Sequence, residues 1–172
     1  LDVTCLATDN NIVDAQCDSI TIVTSRVPTL QAPNGNRVIN SRSALSNTYT
    51  VGASGDYPNL KSACDDLNIK GMSGNTTFSI LGDITEPGQV LIYPWIECNG
   101  SGYYLTIKPA ASANPTIEGN VPGDAIIKIF GASRVILDGS NNATNSRNLT
   151  FMNTSISAPV VISMINPGIN NG

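Results

Sequence analysis

Across residues 103–165, short apolar and β-branched runs recur every 8 to 14 residues, each closed by Gly, Asn, Asp, Ser or Pro. Brief strands joined by tight corners leave this signature. The runs start near Leu105, Pro115, Ile126, Val135, Leu149 and Pro159, and every third start lies 30, 34 or 33 residues from its counterpart. Three strands in a period of roughly 30 residues is the repeat of one coil of a parallel β-helix. Residues 76–93, with TTFSILGDIT and QVLIY, supply a coil of the same kind ahead of this stretch. The pattern predicts an all-β chain built as a parallel β-helix solenoid.

One segment departs from strand periodicity. Residues 58–69 (PNLKSACDDLNI) place Leu60, Ala63, Cys64 and Leu67 on one face at three- and four-residue spacing, which predicts a short amphipathic helix. Pro58 suits its first turn, Asp56 is the candidate cap, and Gly71 or Gly74 ends it. A helix there serves as an N-terminal cap that shields the first coil from strand addition. Residues 48–52 (TYTVG) read as a strand before it. The expected organisation is a hairpin at 1–24, a linker or covering segment at 25–47, and a capped β-helix at 48–172. The hairpin's two arms, 3–8 and 19–24, alternate in hydrophobicity around an Asn- and Asp-rich middle, and a lone hairpin is marginal. Arg26, Arg37 and Arg42 fall in the linker and read as solvated charge rather than a binding patch. The chain starts at Leu1 with no signal-peptide pattern and stops at NPGINNG directly after a strand. The expectation is a processed chain or a piece of a longer one, with further coils beyond Gly172.

Composition narrows the class. Only 13% of the 172 residues are charged and 41% are hydrophobic, with a net charge of −4, which separates the chain from disordered sequences. Scattered Lys and Arg argue against nucleic acid, where phosphate neutralisation needs clustered cations. No apolar run approaches the ~18 residues of a membrane span. With no His and no C-x-x-C, Cys5, Cys17, Cys64 and Cys98 do not read as a metal site. Disulfides are the preferred reading, with an oxidising compartment as the corollary. Proximity favours Cys5 with Cys17 and Cys64 with Cys98, among three possible connectivities.

Two resemblances add to this. VTCLATDNNIVDAQCDSITIV, near the N-terminus, resembles the closing strands of immunoglobulin-like hyalin-repeat modules of bacterial surface proteins. The run from YTVGASGDYPNLKSACDDLN through GYYLTIKPAASANPTIEG to APVVI, with GASRVILDGS and RNLTFMNT as its most specific parts, resembles the right-handed, pectin-lyase-like β-helix domains of large secreted Bacteroidota proteins. Those are commonly exported by the type IX secretion route. The resemblance covers about residues 48–165 and implies an extracellular or cell-surface protein, with further coils and a C-terminal sorting domain outside this chain.

Candidate chemistry is sparse. A polysaccharide lyase needs carboxylates for Ca²⁺ and a basic residue, and a hydrolase needs two acids at a set separation. The coils offer Asp83, Glu86, Glu97, Glu118, Asp124 and Asp138 with Lys108, Lys128, Arg134 and Arg147. Asp83, Glu118 and Asp138 stand beside Gly at expected corners, where a turn residue explains them, and the coil register puts Glu118 and Asp138 on different faces. Without His, no Ser–His–Asp or Cys–His nucleophile exists. Trp95, with Tyr93, Tyr103 and Tyr104, reads either as a sugar-stacking platform or as a ring covering the hydrophobic stack. Five N-x-S/T sequons lie at Asn75, Asn99, Asn142, Asn148 and Asn153, and Asp18–Ser19–Ile20 resembles an acidic-Ser-apolar O-glycosylation acceptor with Ser19 as its target. Asparagines in NNATNSRN and NTSISAPVV are expected to stack in ladders on successive coils.

These readings lead to a non-catalytic, cofactor-free structural or adhesive segment at the cell surface. Its expected partners are copies of itself, neighbouring surface proteins or polysaccharide, and strand addition at open edges would build filaments. The alternatives are a polysaccharide-active enzyme whose active coils lie beyond this chain, or a carbohydrate-binding module.

Overall fold

The structure, a computed structural model, describes residues 44–98 and 100–166. Alternating hydrophobicity turns into ten strands and one helix. These are β1 (Leu45–Val51), α1 (Leu60–Lys70), β2 (Met72–Ile80), β3 (Ile84–Thr85), β4 (Val90–Ile92), β5 (Leu105–Pro109), β6 (Thr116–Gly119), β7 (Ala125–Phe130), β8 (Val135–Leu137), β9 (Thr150–Asn153) and β10 (Val160–Ile165). Every pairing is parallel, and the strands form three sheets, β1-β2-β5-β8, β3-β6-β9 and β4-β7-β10. From β2 onward the chain visits the three sheets in turn and steps up one strand on each visit, whereas α1 alone links β1 to β2. It is a parallel β-solenoid of about four turns.

The register follows the sequence period. Leu105 pairs with Val135 and Thr116 with Thr150. In the third sheet Ala125 meets Val160 rather than Ile126 meeting Pro159, because the corner before β10 carries extra residues. Inward positions stack into continuous columns. Phe78 lies on Ile107 and Leu137 in one sheet, and Val90 lies on Ile127 and Ile162 in another. All but the outermost of these side chains are buried, as parallel coils require.

The N-terminal end of the solenoid is closed by devices that copy strand hydrogen bonds. Over the first sheet, Asp56 accepts from the backbone N–H and hydroxyl of Thr50 at 2.7 and 2.8 Å, and Tyr57 bridges back to Val51. Over β4 lies α1, its face of Leu60, Ala63, Cys64 and Leu67 fully buried. Asn68 of α1 donates to the Leu91 carbonyl at 2.9 Å and accepts from the Tyr93 amide at 3.1 Å. One side-chain amide thereby supplies the donor and acceptor pair that a further strand would offer β4.

Several expectations are corrected here. The helix starts at Leu60 and is capped by Asn59, whose side-chain Oδ1 accepts from the Ser62 amide at 2.8 Å. Asp56 caps nothing, being engaged with Thr50 in the turn before it. Gly71 does end the helix, at φ 70°, where a Cβ would meet the Ile96 carbonyl oxygen at 2.4 Å. The pairing of Cys64 with Cys98 is not formed, because Cys64 is a free thiol pointing into the core, whereas Cys98 sits beside Met72 at the start of β2. Burial pushes the Cys64 thiol up, so it stays protonated and packs as a small apolar group. Cys5, Cys17, Ser19, Asn99 and the arginines of the expected linker lie outside the described residues, as does the expected hairpin. The strand expected at 48–52 begins earlier, at Leu45.

Candidate functional site

Two insertions break the regularity of the coils, the loops at 93–104 and 138–149. The first carries most of the candidate binding residues. Its conformation is held from within by Glu97, which accepts from the amides of Gly102 at 2.7 Å and Tyr103 at 3.0 Å and forms an ion pair with Arg134 one coil later. Arg134 also donates to the Tyr103 carbonyl at 3.1 Å. Burial alone would raise the Glu97 carboxyl, but the Gly102 amide, the Arg134 guanidinium and the Tyr103 amide together hold it below its ordinary value. A depressed carboxylate contributes stability that is present above the usual carboxylate range and lost as pH falls through the folded value. Replacing Glu97 with Gln is therefore expected to speed hydrogen exchange at Gly102 and Tyr103 at pH 7 by roughly tenfold or more, the loss of one charge-assisted bond. Exchange unchanged at both amides would mean that the loop is held some other way.

The aromatic residues do not converge. Trp95 and Tyr103 pack against the core, and the Tyr103 hydroxyl donates to the Cys98 carbonyl. Tyr104 pairs its backbone amide with Asn75. Tyr93 is 42% exposed and meets the equally exposed Phe130 edge to face, with ring centroids 6.1 Å apart at 65°. Crossed rings present no flat surface for a pyranose. The hollow lined by Pro94, Trp95, Ser133 and Arg134 has a volume of about 90 Å³, well under the ~300 Å³ at which small-ligand pockets begin.

The acids are each committed to the scaffold. Asp83 accepts from the Thr116 amide of the next coil at 2.8 Å. Glu118 lies within β6 rather than at a corner and accepts from the Thr85 hydroxyl. Asp138 makes the expected corner by accepting from the Ser140 amide, and it faces Lys108 at 3.7 Å. Asp124 is held down to about 2 by the Lys128 ammonium, with the Ala125 amide and Gln89 assisting. The buried carboxylate of Glu86 accepts from the first two amides of α1, Leu60 at 2.8 Å and Lys61 at 2.9 Å. Among the described residues no group of His, Cys, Asp and Glu is arranged to hold a metal ion. No family model, no curated protein and no solved structure matches this chain.

The sequon asparagines divide by role. Asn142 sits on the exposed tip of the 138–149 loop and organises it, accepting from Ser140, Thr144 and Ser146. Asn148 donates to the Asn114 side chain one coil earlier, an asparagine ladder step of the kind expected in NNATNSRN. Asn153 accepts from the amides of Val121 and Ser155, and its own amide lies within bonding reach of the Val121, Asp124 and Val160 carbonyls. Its hydrogen bonds join two coils at a corner. Sequence reasoning missed Glu86 and Asn68 as capping residues. Asn59 was findable, being an Asn three residues before Ser62 at the head of an apolar helical face.

Proposed function

We propose that this chain is a non-catalytic structural or adhesive segment of an extracellular or cell-surface protein, assembling with copies of itself or with neighbouring surface proteins. The observation that carries this reading is the use made of its acids. Glu86, Glu97, Asp83 and Asp124 are each occupied by backbone amides or a cation of their own scaffold, and a carboxylate so bound is not free to take a proton from a sugar or to hold Ca²⁺. Low charge and stacked apolar columns suit a rigid, protease-resistant body. The likeness of residues 48–165 to β-helix domains of secreted Bacteroidota proteins supports an exported origin by the type IX route. Treating intact source cells with a membrane-impermeant amine reagent is expected to label lysines of this chain. Purified chain incubated with uronate and neutral polysaccharides, with and without Ca²⁺, is expected to release no new reducing ends. Catalytic release of oligosaccharides would overturn the reading.

A further inference from the structure

The 93–104 loop meets the start of β2 at a short parallel bridge between Glu97 and Met72. The Met72 amide donates to the Ile96 carbonyl at 2.8 Å, and the Cys98 amide donates to the Met72 carbonyl at 2.7 Å. Glu97, between these two bonds, is held by its ion pair with Arg134. The backbone leading into Cys98 is therefore fixed to the first coil and to the coil after it. Cys98 is 2% exposed, and its sulfur is engaged in a disulfide. The other cysteine among the described residues, Cys64, is free and fully buried on α1. The chain has four cysteines, and with Cys64 set aside only Cys5 and Cys17 remain to bond Cys98.

We infer that Cys98 is bonded to Cys5 or Cys17 of its own chain, so that the N-terminal segment is covalently tied to the first coil of the solenoid. Neither pair expected from proximity survives this. Cys64 stays a thiol, and Cys5 and Cys17 cannot bond each other once one of them holds Cys98. Two cysteines in the bond leave two thiols of the four, Cys64 and one N-terminal cysteine. The residue numbers of the bonded pair differ by 81 or 93, against 12 for Cys5 and Cys17, and a cross-link over the longer loop restricts the unfolded chain more. The bond forms by exchange with an external disulfide. One thiolate attacks it to give a mixed disulfide, the second thiolate displaces the external sulfur, and the oxidant departs as two thiols carrying both electrons. The assignment does not depend on whether the chain is structural or enzymatic.

Tryptic mapping without reductant tests this, on the full chain produced in an oxidising compartment, quenched in acid and alkylated in denaturant. Residues 1–26 form one tryptic peptide that holds both Cys5 and Cys17, Cys64 lies in the peptide 62–70, and Cys98 lies in the peptide that begins at Gly71. The expected result for the monomer is two alkylated thiols, one of them Cys64, with peptide 1–26 joined to the peptide from Gly71 until reductant is added. Cys98→Ser is expected to free peptide 1–26 without reductant, whereas Cys64→Ser leaves it attached. The digest is read in denaturant, so neither variant has to fold for the comparison to hold. An alkylated Cys98, a Cys64–Cys98 bond, a peptide 1–26 closed on itself through Cys5 and Cys17, or a Cys98 bond found only between two chains would each overturn the inference. The structural reading fails separately, through polysaccharide cleavage, whatever the disulfide map.

Discussion

Replacing Phe78 with alanine is expected to lower the unfolding free energy by about 3–5 kcal/mol. The ring is fully buried on β2, with Ile107 beside it in the next coil and the rings of Tyr49 and Tyr57 edge-on at 6.5 and 6.0 Å. It thus ties the body of the solenoid to β1 and to the turn that closes the first sheet. The cost falls at the high end because the cavity has no easy way to shrink. Coil spacing is set by the backbone ladder, at about 4.8 Å, and neighbouring coils cannot move inward without breaking it. Phe130, 41% exposed at the end of β7, is the control, and Phe130→Ala is expected to cost under about 1 kcal/mol. Urea unfolding of both variants, with the slope compared to that of the parent, measures the difference. A Phe78→Ala loss no larger than the control would mean that the aromatic cluster does not hold the first coil in place.

The second large effect is expected at Glu86. The residue is 4% exposed, and its carboxylate receives the first two amides of α1, groups that no i−4 carbonyl can satisfy. Alanine leaves both donors buried without a partner, at about 1–3 kcal/mol. Glutamine keeps one acceptor and turns an NH₂ toward the other amide, so it restores only part of the loss. The pH dependence separates the charge from the shape. Burial raises the Glu86 carboxyl, and the amides of Lys61 and Leu60 offset this only in part. The folded state therefore holds the proton more tightly than the unfolded state. The stability this contributes is fully present below the ordinary carboxylate value and is lost as pH rises through the raised folded value. The deficit of Glu86→Gln relative to the parent should consequently be greatest near pH 4 and narrow toward neutrality. Glu97 and Asp124 move the other way, since their carboxyls are held below the ordinary range. A deficit that grows with pH would show that the helix amides, rather than burial, dominate at Glu86.

How far the sequence reached differs from element to element. The columns of the core were legible because parallel coils impose a period on the chain. Leu105 and Val135, or Pro115 and Leu149, announce their pairing by spacing alone. The helix was legible because Leu60, Ala63, Cys64 and Leu67 follow a period of 3.6 amid residues that otherwise alternate. Its cap was misplaced by three residues, since Asp56 and Asn59 are both good capping residues and only the path of the turn assigns Asp56 to Thr50. Cys64 and Cys98 were paired by proximity along the chain. Cys64 is instead a free thiol on the buried face of α1.

The candidate site shows the same division. Sequence alone was enough to establish a parallel β-solenoid with one helix, sparse charge and no histidine, because periodicity and composition are properties of the chain itself. Which acids face solvent and which bind amides was decided only by tertiary structure. Glu86 meets Leu60 and Lys61 across more than twenty residues, and Glu97 meets Arg134 one coil later. Such contacts depend on loop length and coil register, which leave no local mark.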